Sequence, residues 1–396
     1  MACYHPLMVP RTALSALLEM ANKFNCVAVT GPRQSGKSTL CRNAFPEKPC
    51  ISLDDPENRE FASSSPADFL NRYAAGAILV EAQRSPELCS HLHNRPCPVD
   101  RKGLIILTGT FPSAFLSGSS CSPEGRFGAL QLLPLSISEL TEAGNLPAEI
   151  DELLLKGMYP PLYELPLTPA VWYSGYVSSF LDREVRQFVN IRDLSLFQRF
   201  LRGCATRTGK ILNLSDLARE CAISHNTARA WLAILEASNI VFFLWPHNRN
   251  FNKRVVKTPK LYFFDTGLAS WLLGIQENAR MASHPLRPEL FETWVVSELM
   301  KGRFNRGLAS NLFFWRDNIG NEIDLIAEQG QTLVPIEIKS EQIITEALFD
   351  GLRKWLSLAG EEAGRGRLIY SGDDRQRMDE AAVVPWRELD GLAERL

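Results

Sequence analysis

The sequence predicts an α/β protein with three domains, and three observations support this prediction. A chain of 396 residues is longer than one ordinary hydrophobic core requires, so two or three domains are expected. In the first third, short apolar runs alternate with helical segments, a pattern typical of a parallel sheet with helices on both faces. A helix–turn–helix pattern and a three-strand meander follow. We therefore place domains at residues 1–145, 146–280 and 281–396.

Composition and charge exclude several classes of protein. Apolar residues make up 45% and charged residues 22% of the chain, which is ordinary for a globular protein, and a net charge of -2 gives no general signal for nucleic acid or membrane. No secretory signal pattern is visible, and no apolar run approaches the roughly 20 residues that span a bilayer. We expect a cytoplasmic protein without a membrane partner. Nine cysteines without a C-x-x-C pair predict reduced thiols.

One cluster offers four metal-ligand side chains within nine residues: Cys89, His91, His93 and Cys97. This spacing does not match a common zinc module. One short helix and its loop would have to turn all four side chains inward, so the pattern favours structural residues over a zinc site.

The first elements are predicted in a regular order. Residues 11–22 carry apolar side chains at helical spacing. Apolar strand candidates follow at residues 26–29, 50–53, 77–80 and 104–107. Polar residues end three of them, with Asp54 and Asp55 after the second, Glu81 after the third and Thr110 after the fourth. Because the carboxyl ends of parallel strands meet at one edge, functional side chains are expected there.

The most informative motif lies between the first strand and the next helix. Residues 31–38 read G-P-R-Q-S-G-K-S, the pattern of a phosphate-binding loop. Glycines at both ends allow the loop conformation, Lys37 would meet the β- and γ-phosphates, and the Ser38 hydroxyl would ligate Mg²⁺. ATP with Mg²⁺ is the predicted cofactor, with GTP left open. The candidate nucleotide-binding residues are Gly31, Pro32, Arg33, Gln34, Ser35, Gly36, Lys37, Ser38 and Thr39.

Several segments together resemble bacterial and archaeal AAA-type ATPases that carry a C-terminal region of unknown function. The matching segments are residues 31–39, L-D-D-P-E-N-R at 53–59, E-A-Q-R-S-P-E-L at 81–88, L-T-G-T at 107–110, G-R at 125–126, P-L-S-I-S-E-L at 134–140 and K-T-P-K-L-Y-F-F-D-T-G-L at 257–268. The resemblance covers nearly the whole chain and implies an ATP-binding protein. It also implies three candidate catalytic residues: Glu81 to polarise water, Thr110 as a polar sensor, and Arg126 as an arginine finger or a surface arginine.

The chain departs from this family at one position. Where the family has an aspartate at the end of the third strand, this chain has Val80. Valine cannot hold Mg²⁺ through water, so the metal would rely on Ser38 and the phosphates, with Asp54 or Asp55 as possible helpers. We expect nucleotide binding to survive and leave hydrolysis open.

The middle segment predicts a winged helix. Prolines at 160, 161, 166 and 169 mark a linker, and a bundle helix is expected over residues 171–190. A short helix at 214–221, capped by Ser215, a turn at 222–223 and a second helix capped by Ser224 precede a strand at 240–245. The candidate DNA contacts are His225, Asn226, Arg229, Lys253 and Arg254. The alternative is a protein-docking module or a lid.

The last segment predicts three strands, at residues 312–315, 323–326 and 334–339. A two-residue turn at Gly330-Gln331 would set Gln329 opposite Thr332 and therefore Asp324 opposite Glu337. Alternation along the strand places Glu337 and Lys339 on one face.

This arrangement, with Glu292 or Glu298 on a preceding helix, resembles the restriction-endonuclease-like nuclease core. The resemblance implies that Asp324 and Glu337 hold Mg²⁺ while Lys339 favours deprotonation of water. The implied nuclease residues are Glu292, Asp324, Glu337 and Lys339. The alternative is a charge-paired sheet face, Lys339 against Glu337 or Glu322, in a degenerate fold used for binding.

Taken together, these patterns predict a slow ATPase whose nucleotide state controls the engagement of nucleic acid or a partner. Two alternatives stay open: a non-hydrolysing, nucleotide-gated regulatory or scaffold protein, and an Mg²⁺-dependent DNA nuclease. The predicted partners are ATP and ADP, DNA, and a protein partner or a second copy of the chain.

Overall fold

The computed structural model describes residues 9–94, 102–111, 127–186, 194–249, 251, 255–374 and 381–396. The first of its sheets contains β1 (Cys26–Thr30), β2 (Cys50–Ser52), β3 (Ala77–Val80), β4 (Ile105–Gly109) and β5 (Phe127–Gln131). The spatial order is β2, β3, β4, β1, β5, and every neighbouring pair is parallel. Helices accompany it: α1 (Leu14–Lys23), α2 (Lys37–Ala44), α3 (Pro56–Ser64), α4 (Pro66–Arg72) and α5 (Pro86–Asn94).

The predicted parallel sheet is confirmed, with one strand more than expected. All four predicted strands lie within a residue or two of their predicted positions. The fifth, β5, escaped prediction because Gly128 interrupts its apolar run, and glycine weakens the strand signal. Close packing requires that glycine, since a Cβ there would lie 2.7 Å from Cδ2 of Phe24. Helix α1 forms as predicted, but its Leu14 and Leu18 are exposed rather than buried.

The middle region is helical, with one small antiparallel sheet. Its helices are α6 (Ile137–Glu142), α7 (Ile150–Lys156), α8 (Pro161–Glu164), α9 (Pro169–Phe180), α10 (Leu194–Ala205), α11 (Leu214–Glu220), α12 (His225–Ala237), α13 (Thr266–Leu272) and α14 (Asn278–Ser283). A π-helical turn, Leu181–Val185, extends α9. The strands β6 (Lys210–Ile211), β7 (Val241–Leu244) and β8 (Lys260–Phe263) follow the order β6, β8, β7.

The helix–turn–helix prediction holds in its second helix and fails at one cap. Ser224 caps α12 as predicted, accepting a hydrogen bond from the Thr227 N–H at 3.0 Å. The predicted cap Ser215 lies inside α11 instead. Asn213 caps that helix, because its side-chain oxygen accepts from the Asp216 N–H at 3.1 Å. Asparagine is as good an N-cap as serine, so residue type alone does not separate the two positions.

The last region places a long helix against a five-stranded mixed sheet. Its elements are α15 (Arg287–Phe304), β9 (Leu312–Arg316), β10 (Glu322–Gln329), β11 (Thr332–Lys339), α16 (Asp350–Ala359), β12 (Gly366–Tyr370), β13 (Ala381–Pro385) and α17 (Leu389–Ala393). The predicted register is confirmed, since Gln329 pairs with Thr332 and Leu325 with Ile336. Strands β12 and β13, which were not predicted, extend the meander in parallel. Within the described residues, no helix combines the length and apolar character needed to cross a membrane.

A buried carboxylate joins the linker to the middle region. Asp265 caps α13 by accepting from the Leu268 N–H at 2.8 Å. It also accepts from the Met158 N–H at 2.7 Å and the Tyr173 hydroxyl at 2.6 Å. Burial raises the pKa of Asp265 even though these donors act in the opposite direction. A Cβ on neighbouring Gly157 would lie 2.1 Å from the Tyr173 hydroxyl, so the packing requires glycine there.

We expect Asp265→Ala to lower the free energy of unfolding by about 3 kcal/mol, because three buried donors lose their acceptor at once. Urea denaturation followed by tryptophan fluorescence measures this change. Glu277→Ala is the matched control, since Glu277 is exposed at the start of α14 and makes no capping hydrogen bond. Equal midpoints for both variants would contradict a structural role for Asp265.

Candidate functional site

The loop between β1 and α2 has the backbone that its glycines predict. Gly31 has φ of 151° and Gly36 has φ of 92°, both in the region that favours glycine. A Cβ on Gly31 would lie 2.0 Å from the Leu132 carbonyl oxygen, so no side chain fits there. Gly36 is the N-cap of α2, and the backbone N–H groups of that helix end therefore face the loop.

Lys37 is a buried cation at the mouth of this loop. Its Nζ donates to the Pro32 carbonyl at 2.7 Å and to the Gly31 carbonyl at 3.0 Å. Burial lowers the pKa of Lys37 to about 8, although the charge of Glu81 acts in the opposite direction. The ammonium is thus held beside the loop backbone, where it can meet a polyphosphate.

Two of the predicted catalytic residues lie at the carboxyl edge of the sheet. Glu81 follows β3 with φ of 56°, a conformation that non-glycine residues seldom adopt, and its Oε2 accepts from Gln83 Nε2 at 2.6 Å. Thr110 follows β4 and is buried, and among the described residues its Oγ1 has no hydrogen-bond partner. A buried hydroxyl without a partner fits a site that takes a polar ligand. Arg126 lies outside the described residues.

The carboxylates that could have compensated for Val80 make other contacts. Asp55 caps α3, accepting from the Glu57 N–H at 2.9 Å. Asp54 forms ion pairs with Arg84 at 3.2 Å and Arg183 at 3.5 Å. Both carboxylates are therefore engaged by other groups of the protein in this structure.

A cavity of about 420 Å³ lies beside the loop, next to α2. Its apolar wall comes from the segment before α1 and from the proline-rich linker, and includes Val9, Leu14, Leu135, Pro160 and Pro161. Its polar groups include Gln34 and Thr39 of the loop region, Asn43 of α2 and Glu164 of α8. Pockets of this size with a few polar groups suit small-molecule ligands.

The other sequence candidates in the first two regions divide into exposed, buried and undescribed residues. His225, Asn226 and Arg229 are exposed at the start of α12. Lys253, Arg254 and Cys97 lie outside the described residues. Cys89 is buried, and the His93 ring stacks on Phe127 at 4.4 Å. Within the described ranges, no group of three potential metal ligands comes together.

A second charged cluster lies on the C-terminal sheet, beside a cavity of about 310 Å³. Lys339 Nζ lies 2.5 Å from Glu337 Oε2 and 3.5 Å from Asp324 Oδ2, so the predicted grouping forms. Burial and the neighbouring Asp324 raise the pKa of Glu337 to about 9. Burial also acts to raise the pKa of Asp324, but the Lys339 charge lowers it below its usual value.

The middle region adds a further lysine to this cluster. Lys260 of β8 lies 3.0 Å from Glu292 Oε1 and 2.6 Å from Glu322 Oε1. The Tyr262 hydroxyl donates to the same Glu292 oxygen at 2.5 Å. Burial raises the pKa of Glu292 to about 7. The alternative helix acid, Glu298, lies elsewhere. The contacts of Lys260 and Tyr262 give the segment 257–268 a structural role that its sequence alone did not reveal.

Glu298 belongs to the junction between α6 and the last region. Its Oε2 accepts from the Ile137 N–H at 2.8 Å, and its Oε1 pairs with Lys301 at 2.6 Å. Burial raises the pKa of this carboxyl. Of the two helix acids that the sequence offered for the C-terminal cluster, the structure therefore brings Glu292 to it and not Glu298.

Three segments of the chain match protein-family models. Residues 23–141 match the family model described as an AAA domain. This matched segment, referred to as the AAA domain, holds the loop and the parallel sheet. Residues 147–279 and 288–389 match two further models, each described as a domain of unknown function.

Two mycobacterial proteins are similar to the chain over most of its length. The uncharacterized proteins Rv2008c of Mycobacterium tuberculosis and Mb2031c of Mycobacterium bovis are each 28% identical over 390 residues, covering 96% of this chain and 83% of the relative. Among solved structures, the Walker-type ATPase PABY2304 of Pyrococcus abyssi is 17% identical with a TM-score of 0.42, covering 66% of this chain and 94% of that one. The Pyrococcus horikoshii STAND protein PH0952, with a tetratricopeptide repeat sensor, is 14% identical with a TM-score of 0.26, covering 78% of this chain and 50% of that one.

The AAA domain contacts the middle region at its predicted sensor. Asn239, just after α12 and with φ of 56°, donates from Nδ2 to the Thr110 carbonyl at 3.2 Å. Its Oδ1 accepts from Gln131 Nε2 of β5 at 2.6 Å. Sequence reasoning missed Asn239, because this contact joins residues 129 positions apart and no local pattern marks it.

Proposed function

We propose that the AAA domain binds ATP with Mg²⁺ and hydrolyses it slowly, and that the nucleotide state controls the engagement of DNA or a protein partner by the other two regions. One observation carries this proposal: a glycine-bracketed loop at a helix N-terminus holds the buried ammonium of Lys37 at the sheet edge where β3 and β4 are followed by Glu81 and Thr110. Backbone N–H groups, a lysine and a hydroxyl are the donors that polyphosphates require.

Each group has a defined role in the proposal. The loop backbone and Lys37 hold the phosphates, and Ser38 contributes its hydroxyl to Mg²⁺, which when bound neutralises phosphate charge. The cavity beside α2 takes the nucleoside. Glu81, positioned by Gln83, polarises water, and the Thr110 hydroxyl meets the terminal phosphate. Hydrolysis is slow because Val80 supplies no carboxylate to the metal.

The middle region supports the regulatory part of the proposal. Helix α10, strand β6, helices α11 and α12, and strands β7 and β8 follow one another as in a winged helix. The exposed side chains at the start of α12 suit contact with DNA, while a protein partner remains the alternative. Because Asn239 follows α12 and contacts Thr110, a change at the sensor reaches this helix directly.

We expect nucleotide affinity to fall as pH rises above about 8, because polyphosphate binds the protonated form of Lys37 and must then bring a proton with it. The loss approaches about tenfold per pH unit once most Lys37 is neutral. Fluorescence anisotropy of labelled ATP and GTP with Mg²⁺, measured from pH 6.5 to 9.5, checks this. Lys37→Ala should weaken binding and flatten the profile, whereas the exposed Lys23→Ala should do neither. Lack of saturable binding by the wild type would refute the proposal.

The absence of an acid at position 80 supports the non-hydrolysing alternative. The substitution Val80→Asp distinguishes that alternative from a slow ATPase. For a slow enzyme, the wild type should already release phosphate, and Val80→Asp should accelerate that release because the metal gains the missing carboxylate. A non-hydrolysing protein should gain turnover from a base of zero. Phosphate release under saturating ATP measures both, with Glu81→Gln as the variant that should abolish any activity. If Val80→Asp releases phosphate and the wild type releases none, the regulatory or scaffold function is favoured.

An Mg²⁺-dependent nuclease is the second candidate activity of the C-terminal region. It is favoured by the position of Asp324, Glu337 and Lys339 beside one cavity. Two carboxylates can offer oxygen ligands to the metal. The charge pairing of Glu337 with Lys339 and of Glu292 with Lys260 supports the competing interpretation, a paired surface used for binding.

We expect Asp324→Ala and Lys339→Ala to abolish any DNA cleavage while leaving ATP affinity unchanged, because they remove groups from this cluster only. Gel assays with Mg²⁺ or Mn²⁺ measure cleavage, and the exposed Asp350→Ala serves as the control. Failure of the wild type to cleave DNA with either metal would remove the nuclease candidate.

A further inference from the structure

The phosphate-binding loop carries a second cation, Arg33, in addition to Lys37. The Lys37 ammonium donates to the carbonyl of Pro32, which is the peptide that leads into Arg33. The Arg33 backbone is therefore next to the tip of the Lys37 side chain. Its guanidinium is largely buried, with 17% of the side chain exposed.

The partner of Arg33 comes from another region of the chain. Arg33 Nη1 donates to Glu184 Oε1 at 3.1 Å, across 151 residues of sequence. Glu184 is almost fully buried and lies in the π-helical turn Leu181–Val185 that extends α9. Burial raises the pKa of Glu184, although the Arg33 hydrogen bond acts in the opposite direction. Single π-helical turns are frequent at functional sites.

The charges around this pair place it at the phosphate end of the site. The carboxylates of Glu81 and Glu184 raise the pKa of Arg33 against the effect of burial. The same two carboxylates act on Lys37. Arg33 and Lys37 thus belong to one loop and share these neighbouring carboxylates, so a polyphosphate that reaches Lys37 arrives at the loop that carries Arg33.

We propose that Arg33 distinguishes nucleoside triphosphate from diphosphate by exchanging Glu184 for the terminal phosphate. The inference rests on nucleotide binding by the AAA domain. Guanidinium binds phosphate through paired, charge-assisted hydrogen bonds, so a terminal phosphate competes effectively with a single carboxylate contact. A diphosphate lacks that group and leaves the Arg33–Glu184 pair intact. Glu184 is then a positioning residue that acts through Arg33.

The exchange has a structural consequence for the middle region. Loss of the Arg33 contact leaves the buried Glu184 carboxylate without its cation, which destabilises the packing of the turn. A second bridge from the same turn, Arg183 to Asp54 at 3.5 Å, does not involve the loop and is retained. Triphosphate therefore loosens residues 181–185 without detaching them from the AAA domain.

The test compares affinities of the full chain for ADP and for a non-hydrolysable ATP analogue, both with Mg²⁺. Arg33→Ala should weaken analogue binding about tenfold and change ADP binding less than about twofold, because only the terminal phosphate loses a partner. Glu184→Gln should strengthen analogue binding severalfold, since Arg33 is released, and leave ADP binding unchanged. Arg183→Ala, on the same turn, is the matched control and should change the affinity for neither the analogue nor ADP.

A second Arg33 variant and a hydrogen-exchange measurement test the inference independently of Glu184→Gln. Arg33→Lys retains a cation but not the paired donors, so it should lose discrimination even if Glu184→Gln fails to fold. Hydrogen exchange of residues 181–186 in the wild type should be faster with the analogue than with ADP, and Arg33→Ala should remove that difference. Equal effects of the Arg33 variants on both ligands would overturn the inference. Failure of the wild type to bind either nucleotide would instead refute nucleotide binding itself.

Discussion

A charge removed from water needs a partner of opposite sign, and this constraint holds the regions of the chain together. Separating such a buried pair costs several kcal/mol, more than most single packing contacts contribute. Glu139 of α6 pairs with Arg11 at 3.0 Å, and Lys260 of β8 pairs with Glu292 of α15. Each pair joins segments that are far apart in sequence. Their relative positions are therefore fixed by electrostatics as well as by apolar packing.

The same constraint shapes the nucleotide site. The parallel sheet brings the loop, Glu81 and Thr110 to one edge, and two side chains of the middle region complete that edge. Asn239 contacts the Thr110 carbonyl, and Glu184 pairs with Arg33 of the loop. In the proposed function, both contacts lie at residues that would meet phosphate. A ligand bound at this edge would consequently alter contacts of the AAA domain and of the middle region at the same time.

Much of this arrangement could be predicted from local sequence patterns. The loop, four of the five parallel strands, the Ser224 cap and the register of β10 on β11 all follow from signals a few residues long. Side chains whose partners lie in another region could not be predicted. Glu184 contacts a residue 151 positions away, and the pattern around it indicates only a bundle helix. Strand β5 was missed for a different reason, because Gly128 interrupts its apolar pattern.

Lys260 also bears on which part of the chain is autonomous. It lies on β8, before the boundary that the sequence suggested at residue 281, yet it neutralises two carboxylates of the last region, Glu292 and Glu322. A fragment cut at that boundary would keep both acids and discard Lys260, which leaves Glu322 with Arg316 at 2.9 Å and Glu292 without its lysine. A piece of the C-terminal half that keeps this contact therefore begins upstream of β8. Recombination or domain transfer should preserve that longer unit.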